Sequence, residues 1–190
     1  MSDNNELMLD VGQANEFKLV CRRFGFTNTD IKKMCKGDIL DQFKLVIRGQ
    51  AKIIVLKHLI DCDADPFIPK GWTLEEHKKG GQFQFDPTKI ELFLSQKQQK
   101  GEVIEGNKLR EELMGKPVLN ANVLEYLLVH PELIPEEWKG KWIYFWGTIY
   151  RNSGGNLCVR CLRWRGSQWF WHDDWLGYGW DGVEPAAVLA

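Results

Sequence analysis

Residues 138–180 read WKGKWIYFWGTIYRNSGGNLCVRCLRWRGSQWFWHDDWLGYGW and hold eight of the chain's nine tryptophans. Side chains alternate across a strand, so parity assigns them to faces. In 142–151, Trp142, Tyr144 and Trp146 fall on one face, and Ile143, Phe145 and Gly147 on the other. Apolar residues on both faces predict a central strand covered from both sides. The NSGGN at 152–156 is a hairpin loop. Beyond it, Cys158, Arg160, Leu162 and Trp164 share one face, and Leu157, Val159, Cys161 and Arg163 the other. Arg165-Gly166-Ser167 turns the chain into a third strand, QWFWHDDWL. The expectation is an antiparallel meander of three or four strands, with closure into a small SH3-like barrel as one outcome. The remaining GYGWDGVEPAAVLA reads as a loose end.

Upstream, helical periodicity takes over. In 13–24, Phe17, Val20, Cys21 and Phe24 recur at i, i+3, i+4 and i+7, and Gly25 can stop the helix. A second helix starts at Asn28 or Thr29 and puts Ile31, Met34 and Cys35 on one face. A third, DILDQFKLVIRG, turns Ile39, Leu40, Phe43 and Val46 inward. Three short helices admit two readings. One is a helix-turn-helix in which Lys32, Lys33, Lys36 and Lys44 meet phosphates. The other is a helical cap with solvated lysines.

Between these regions, AKIIVLKHLID at 51–61 reads as a strand, being β-branched and bounded by Gly49 and Asp65-Pro66. WTLEEHKKGGQFQF suggests two strands joined as a hairpin at Lys79-Gly80-Gly81, and Ile90, Leu92 and Leu94 alternate as in a half-buried strand. The polar 96–107 segment reads as exposed. A short helix follows Asn107. The strongest helix is LNANVLEYLLVHPELIP, capped by Asn120 or Asn122, with Val123, Leu124, Leu127 and Leu128 inward and Pro131 at its end.

The run LNANVLEYLLVHPELIPEEWKGKWIYFWGTIYR at 119–151, with DPFIP at 65–69 and VRCLRW at 159–164, resembles a family of uncharacterised bacterial proteins of about this length from uncultivated small-genome lineages. The resemblance covers residues 50–190 well and the first 50 weakly. It implies no activity, cofactor, partner or site residue.

Composition is that of a globular chain, 44% hydrophobic and 27% charged. A net charge of -1 supplies no global pull toward nucleic acid or an anionic membrane. The charge is unevenly spread, at net +3 over residues 1–60, -6 over 61–138 and +2 over 139–190. The opening MSDNNELMLD has neither the basic nor the apolar region of a secretory leader. No apolar run reaches the roughly 18 residues of a membrane helix. With that and the near-zero net charge no membrane partner is expected, and five cysteines without a dense framework read as reduced thiols, which points to the cytoplasm.

Chemistry-bearing patterns are few. Asp61, Asp63 and Asp65 have the spacing that opens a calcium loop, but Pro66 and Trp72 stand where that loop needs Gly and Glu. His58, Asp61, Asp63 and His77, with Cys62 between, could instead supply a mixed metal set for a metal-dependent enzyme. Cys158 and Cys161 form a C-x-x-C, yet an offset of three puts the thiols on opposite faces of a strand. His172 shares a face with Asp174 rather than Asp173. There is no G-x-S-x-G elbow, Walker-A loop or G-x-G-x-x-G, and the adjacent glutamate pairs make no glycosidase dyad.

Arg163, Arg165, Trp169, Trp171 and Trp175 remain as a candidate binding surface, since aromatic faces with arginine suit protein interfaces and also stack bases. Nine tryptophans exceed what one small core needs, so the last strand is expected to expose some of them. The expectation is an α+β protein with a helical region over 1–50 and a mainly antiparallel body over 51–190. It is read as a non-enzymatic, cofactor-free binding protein for a protein partner. A nucleic-acid-binding regulator and a metal enzyme are the alternatives.

Overall fold

The computed structural model describes residues 9–54 and 57–190. The chain divides into two units, 1–55 and 56–190.

The first unit holds α1 (Val11–Arg23), α2 (Asn28–Met34) and α3 (Ile39–Ile47). Asp10 and Gln13 form a capping box at the start of α1, and Thr27 and Asp30 form one for α2. Gly25, at φ 75, supplies the left-handed residue that ends the first helix. No residue of the three helices is buried. Their apolar faces, Phe17, Phe24, Leu40 and Phe43 among them, stay exposed. The periodicity therefore locates the helices correctly, but those faces do not close into a core.

The second unit is built on β1 (Leu59–Asp61), β2 (Thr73–His77), β3 (Gln82–Gln84), β4 (Ile90–Phe93) and α4 (Gln96–Gln99). These are followed by β5 (Ile104–Glu105), α5 (Gly106–Glu112), α6 (Ala121–Val129), β6 (Trp142–Arg151) and β7 (Leu157–Arg165). The last strands are β8 (Gln168–Trp175), β9 (Gly179–Trp180) and β10 (Ala186–Leu189). The class is α+β, as expected. The main sheet runs β4-β10-β6-β7-β8, with β2 also paired to β6. Strands β6, β7 and β8 form the anticipated meander. It does not close into a barrel, because β4 and β8 end the sheet as two separate edges.

The sheet is covered on both faces. On one, Ile143, Phe145 and Leu162 pack with Val123, Leu124 and Leu127 of α6. On the other, Tyr144, Trp146, Ile149, Val159 and Cys161 pack with Leu109, Leu113, Leu176 and Trp180. Residues 143–150 are all buried, which matches the two-faced apolar pattern of β6.

Four further expectations need correction. First, the strand foreseen over 51–61 is reduced to β1; residues 51–54 carry no regular structure, and 55 and 56 lie outside the described residues. Second, β2 and β3 do not form a hairpin. β3 pairs with β1, and β2 with the second half of β6. The two glycines allow a turn, but the amide of Lys78 bonds the Gly147 carbonyl at 2.7 Å, so β2 is held on the main sheet.

Third, the polar 96–107 stretch carries α4 and β5. Gln98 is buried there, its amide donating to the Asp181 and Glu184 carbonyls. Fourth, the tail is not loose. β10 lies inside the sheet, parallel to β6 and antiparallel to β4, and Ala187 is fully buried. Small side chains suit this place because the layer is covered from both sides.

Candidate functional site

The last strand of the meander is the sheet's edge. β8 pairs with β7 from Arg165↔Gln168 to Cys158↔Trp175, and among the described residues no strand lies on its other side. In an antiparallel edge strand, alternate residues turn their N–H and C=O away from the only neighbour. In a strand of eight residues, about four in that state make a hydrogen-bonding template.

Trp169, Trp171 and Trp175 lie on one face of β8 by register. Trp169 and Trp171 are half-buried against the α6 core, and Trp175 is exposed. Each end of the strand borders a hollow. At the hairpin end, Trp169 meets Trp164 edge-on at 5.3 Å, and the Lys139 ammonium stands 4.0 Å above the Trp164 ring. These residues line a cavity of about 470 Å³ with Leu128, Pro131 and Gln168. At the far end, Trp175 stacks on Tyr178 at 5.1 Å beside a cavity of about 450 Å³ that Asn107 and Asn156 also line.

The five residues singled out in the sequence are not brought together. Arg163 points to the opposite face of the sheet, where its guanidinium lies 3.6 Å over the Trp142 ring. Arg165 is exposed at the hairpin. The arginine on the tryptophan face is Arg160, which pairs with Asp173 across the strands. It is only 1% exposed, stacks under Trp171 at 4.3 Å and meets Glu125 of α6 at 2.5 Å. None of its donors makes a well-directed hydrogen bond, so the pairing is chiefly Coulombic. Burial also raises the Asp173 carboxyl above its ordinary range. Strand parity could have found Arg160, since it shares the Leu162 face. Trp164, Lys139 and Tyr178 were missed because their grouping depends on how the chain folds back.

Both cysteines of the C-x-x-C are buried, on opposite faces as parity requires. Burial pushes each thiol up to about 12, so neither is a ready thiolate. His172 stands edge-on to Trp142 at 5.9 Å, while Asp174 accepts a short hydrogen bond from the Tyr144 hydroxyl.

The histidine–aspartate segment is dispersed among structural bonds. His58 has a positive φ of 55, and its Nδ1 lies 3.2 Å from the Tyr126 hydroxyl. Asp61 accepts from the Asp63 amide, and Asp63 from the Gly81 amide at 2.9 Å. His77 sits between the Thr148 hydroxyl at 2.8 Å and the Cys62 carbonyl at 3.2 Å. The Cys62 carbonyl can only accept, so His77 Nε2 donates to it, while the Thr148 oxygen also accepts from the Ala121 amide. Among the described residues, no group of three or more His, Cys, Asp or Glu is placed to hold a metal ion.

In the first unit, Lys32, Lys33 and Lys36 are exposed, and Lys44 is paired to Asp41 at 2.5 Å. Among the described residues, no helix is long and apolar enough to cross a membrane.

Comparison with protein-family models, with curated proteins and with solved structures finds no match to this chain.

Proposed function

We propose that this protein is a non-enzymatic binding protein that takes an extended segment of a protein partner along β8. The observation that carries this reading is the eight-residue edge strand, with no strand on its second side among the described residues, bracketed by two aromatic hollows. Strand addition draws affinity from main-chain bonds and specificity from pockets for alternate side chains. Trp164 with Trp169 at one end, and Trp175 with Tyr178 at the other, supply large rigid contacts of the kind that dominate protein interfaces. Five free cysteines favour a reducing compartment such as the cytoplasm.

Panning a library of extended peptides on the full chain tests the reading. Enriched peptides should alternate apolar residues and slow amide exchange across residues 168–175. Trp164→Ala and Trp175→Ala should each weaken them at least about fivefold, as expected for truncated aromatic anchors. Absence of enrichment, or enriched peptides that bind both variants equally and protect other strands, would overturn it.

A further inference from the structure

The partner of β6 changes midway along one edge. β10 meets it at Tyr144, and β2 meets it from Thr148 to Arg151. The register with β7 shifts over the same interval. Segment 118–120 fills the resulting gap. The Gly147 amide donates to the Leu119 carbonyl at 2.9 Å. A Cβ on Gly147 would come within 2.9 Å of the Asn120 backbone, so the close approach requires glycine there. The side-chain amide of Asn120, 3% exposed, donates to the Cys62 and Lys78 carbonyls and so ties two loops to the plug.

Beside this plug lies a cavity of about 270 Å³. Phe83, Leu119 and Leu189 contribute apolar wall. Lys78, Lys79 and Lys116 also line it, and among the described residues no Asp or Glu does. Among the described residues, none of these three ammonium groups is in an ion pair. Lys116 stands instead 4.3 Å over the Phe93 ring. Lys78 and Lys79 therefore bring two ammonium groups without an ion-pair partner among the described residues to one wall, with the Lys116 stem beside them. Clustered like charge works against the compact state unless a counter-ion relieves it. Cys62 contributes to the wall, but burial holds its thiol up to about 11, so the site offers packing and positive charge rather than a nucleophile.

We infer that this cavity binds a small amphipathic organic anion, its apolar body against Phe83, Leu119 and Leu189 and its carboxylate or phosphate head at Lys78 and Lys79, with the Lys116 ammonium swinging off Phe93 to join them. The volume, just below the usual range of small-molecule pockets, restricts the body to a short chain or a single ring. The site lies at the β2 and β10 side of the sheet and is independent of β8.

Calorimetric titration of the full chain with octanoate and with octyl phosphate tests this, with octanol and inorganic phosphate as controls. At least one amphiphilic anion should bind saturably and shift the amide resonances of Lys78, Lys79 and Val118. Octanol and inorganic phosphate should bind at least about tenfold more weakly, because each lacks one half of the recognition. Octanoate alone would identify the head as a carboxylate, and octyl phosphate alone as a phosphate monoester. Lys79→Gln and Lys116→Gln should each weaken binding about tenfold, while the exposed Lys100→Gln leaves it unchanged. Failure of both anions to bind, equal binding of octanol, or indifference to the two lysine changes would overturn the assignment.

Discussion

Two partly or fully buried charges set what single residues do in this fold. Arg160 is sealed beneath Trp171, whereas its partner Glu125 keeps about a third of its side chain in water. The pair is therefore asymmetric. With Glu125 removed, the guanidinium is stranded without water; with Arg160 removed, the carboxylate can rehydrate. Glu125→Ala should cost about 2–3 kcal/mol and Arg160→Met less than about 1 kcal/mol in urea denaturation. Equal costs would show that the two ends are equally sealed. A second test uses pH. Burial raises the folded-state values of Asp173 and Glu184 above their ordinary 3.8 and 4.5. The folded protein then holds these protons after the unfolded chain has released them. Their contribution is fully present below the unfolded value and is lost as pH rises through the folded one. Asp30, Asp41 and Asp86, lowered by hydrogen bonds from Thr27, Lys44 and Thr88, slope the opposite way. Glu184→Gln can still accept from the Asp181 amide, so it should flatten the loss of stability above about pH 4.5 without harming the fold. An unchanged pH profile in that variant would remove Glu184 from the account.

Among the elements, β10 most separates what could be read from what could not. Strands β6, β7 and β8 announce themselves because alternation and Gly turns are local signals. The four residues Ala186–Leu189 carry no such signal. Their central place arises from pairing with β4, nearly a hundred residues earlier, and from packing between two covered faces. The same holds for β2 and β3, whose intervening glycines suggest a turn while the amide bond to Gly147 decides the partner. Burial at β10 makes a strong prediction. Ala187 is fully buried, and its carbonyl accepts from the Leu119 amide. Ala187→Glu would place a charge in the sheet's covered layer and should cost more than about 4 kcal/mol, enough to abolish cooperative unfolding. A soluble, cooperatively melting Ala187→Glu protein would show that the tail is dispensable. On the candidate site, parity correctly split the C-x-x-C, whereas the common face of Trp169, Trp171 and Trp175 comes from the register of β8 on β7. Parity also shows why Arg163 belongs elsewhere, since an odd residue of β7 lies opposite Arg160.

At the level of the whole molecule, the two units differ in what holds them. Residues 57–190 contain two buried clusters on either side of one sheet. Helices α1, α2 and α3 have capping boxes and good periodicity but bury no residue. An amphipathic pattern specifies a helix and a face, and says nothing of whether a second surface exists to receive that face. This is why the helices were legible and their packing was not. Short helices without buried contacts are marginal, since most helical stability in proteins comes from packing. Native-state amide exchange should therefore divide sharply. Amides in 11–47 should exchange with opening energies within about 2 kcal/mol of zero, while those of β6 and β7 should exchange only by global unfolding. Addition of a peptide that binds β8 should protect the second unit and leave 11–47 unchanged. Comparable protection of α1 to α3 and β6 in the free protein would mean that the helices are stabilised by contacts equal to those of the sheet.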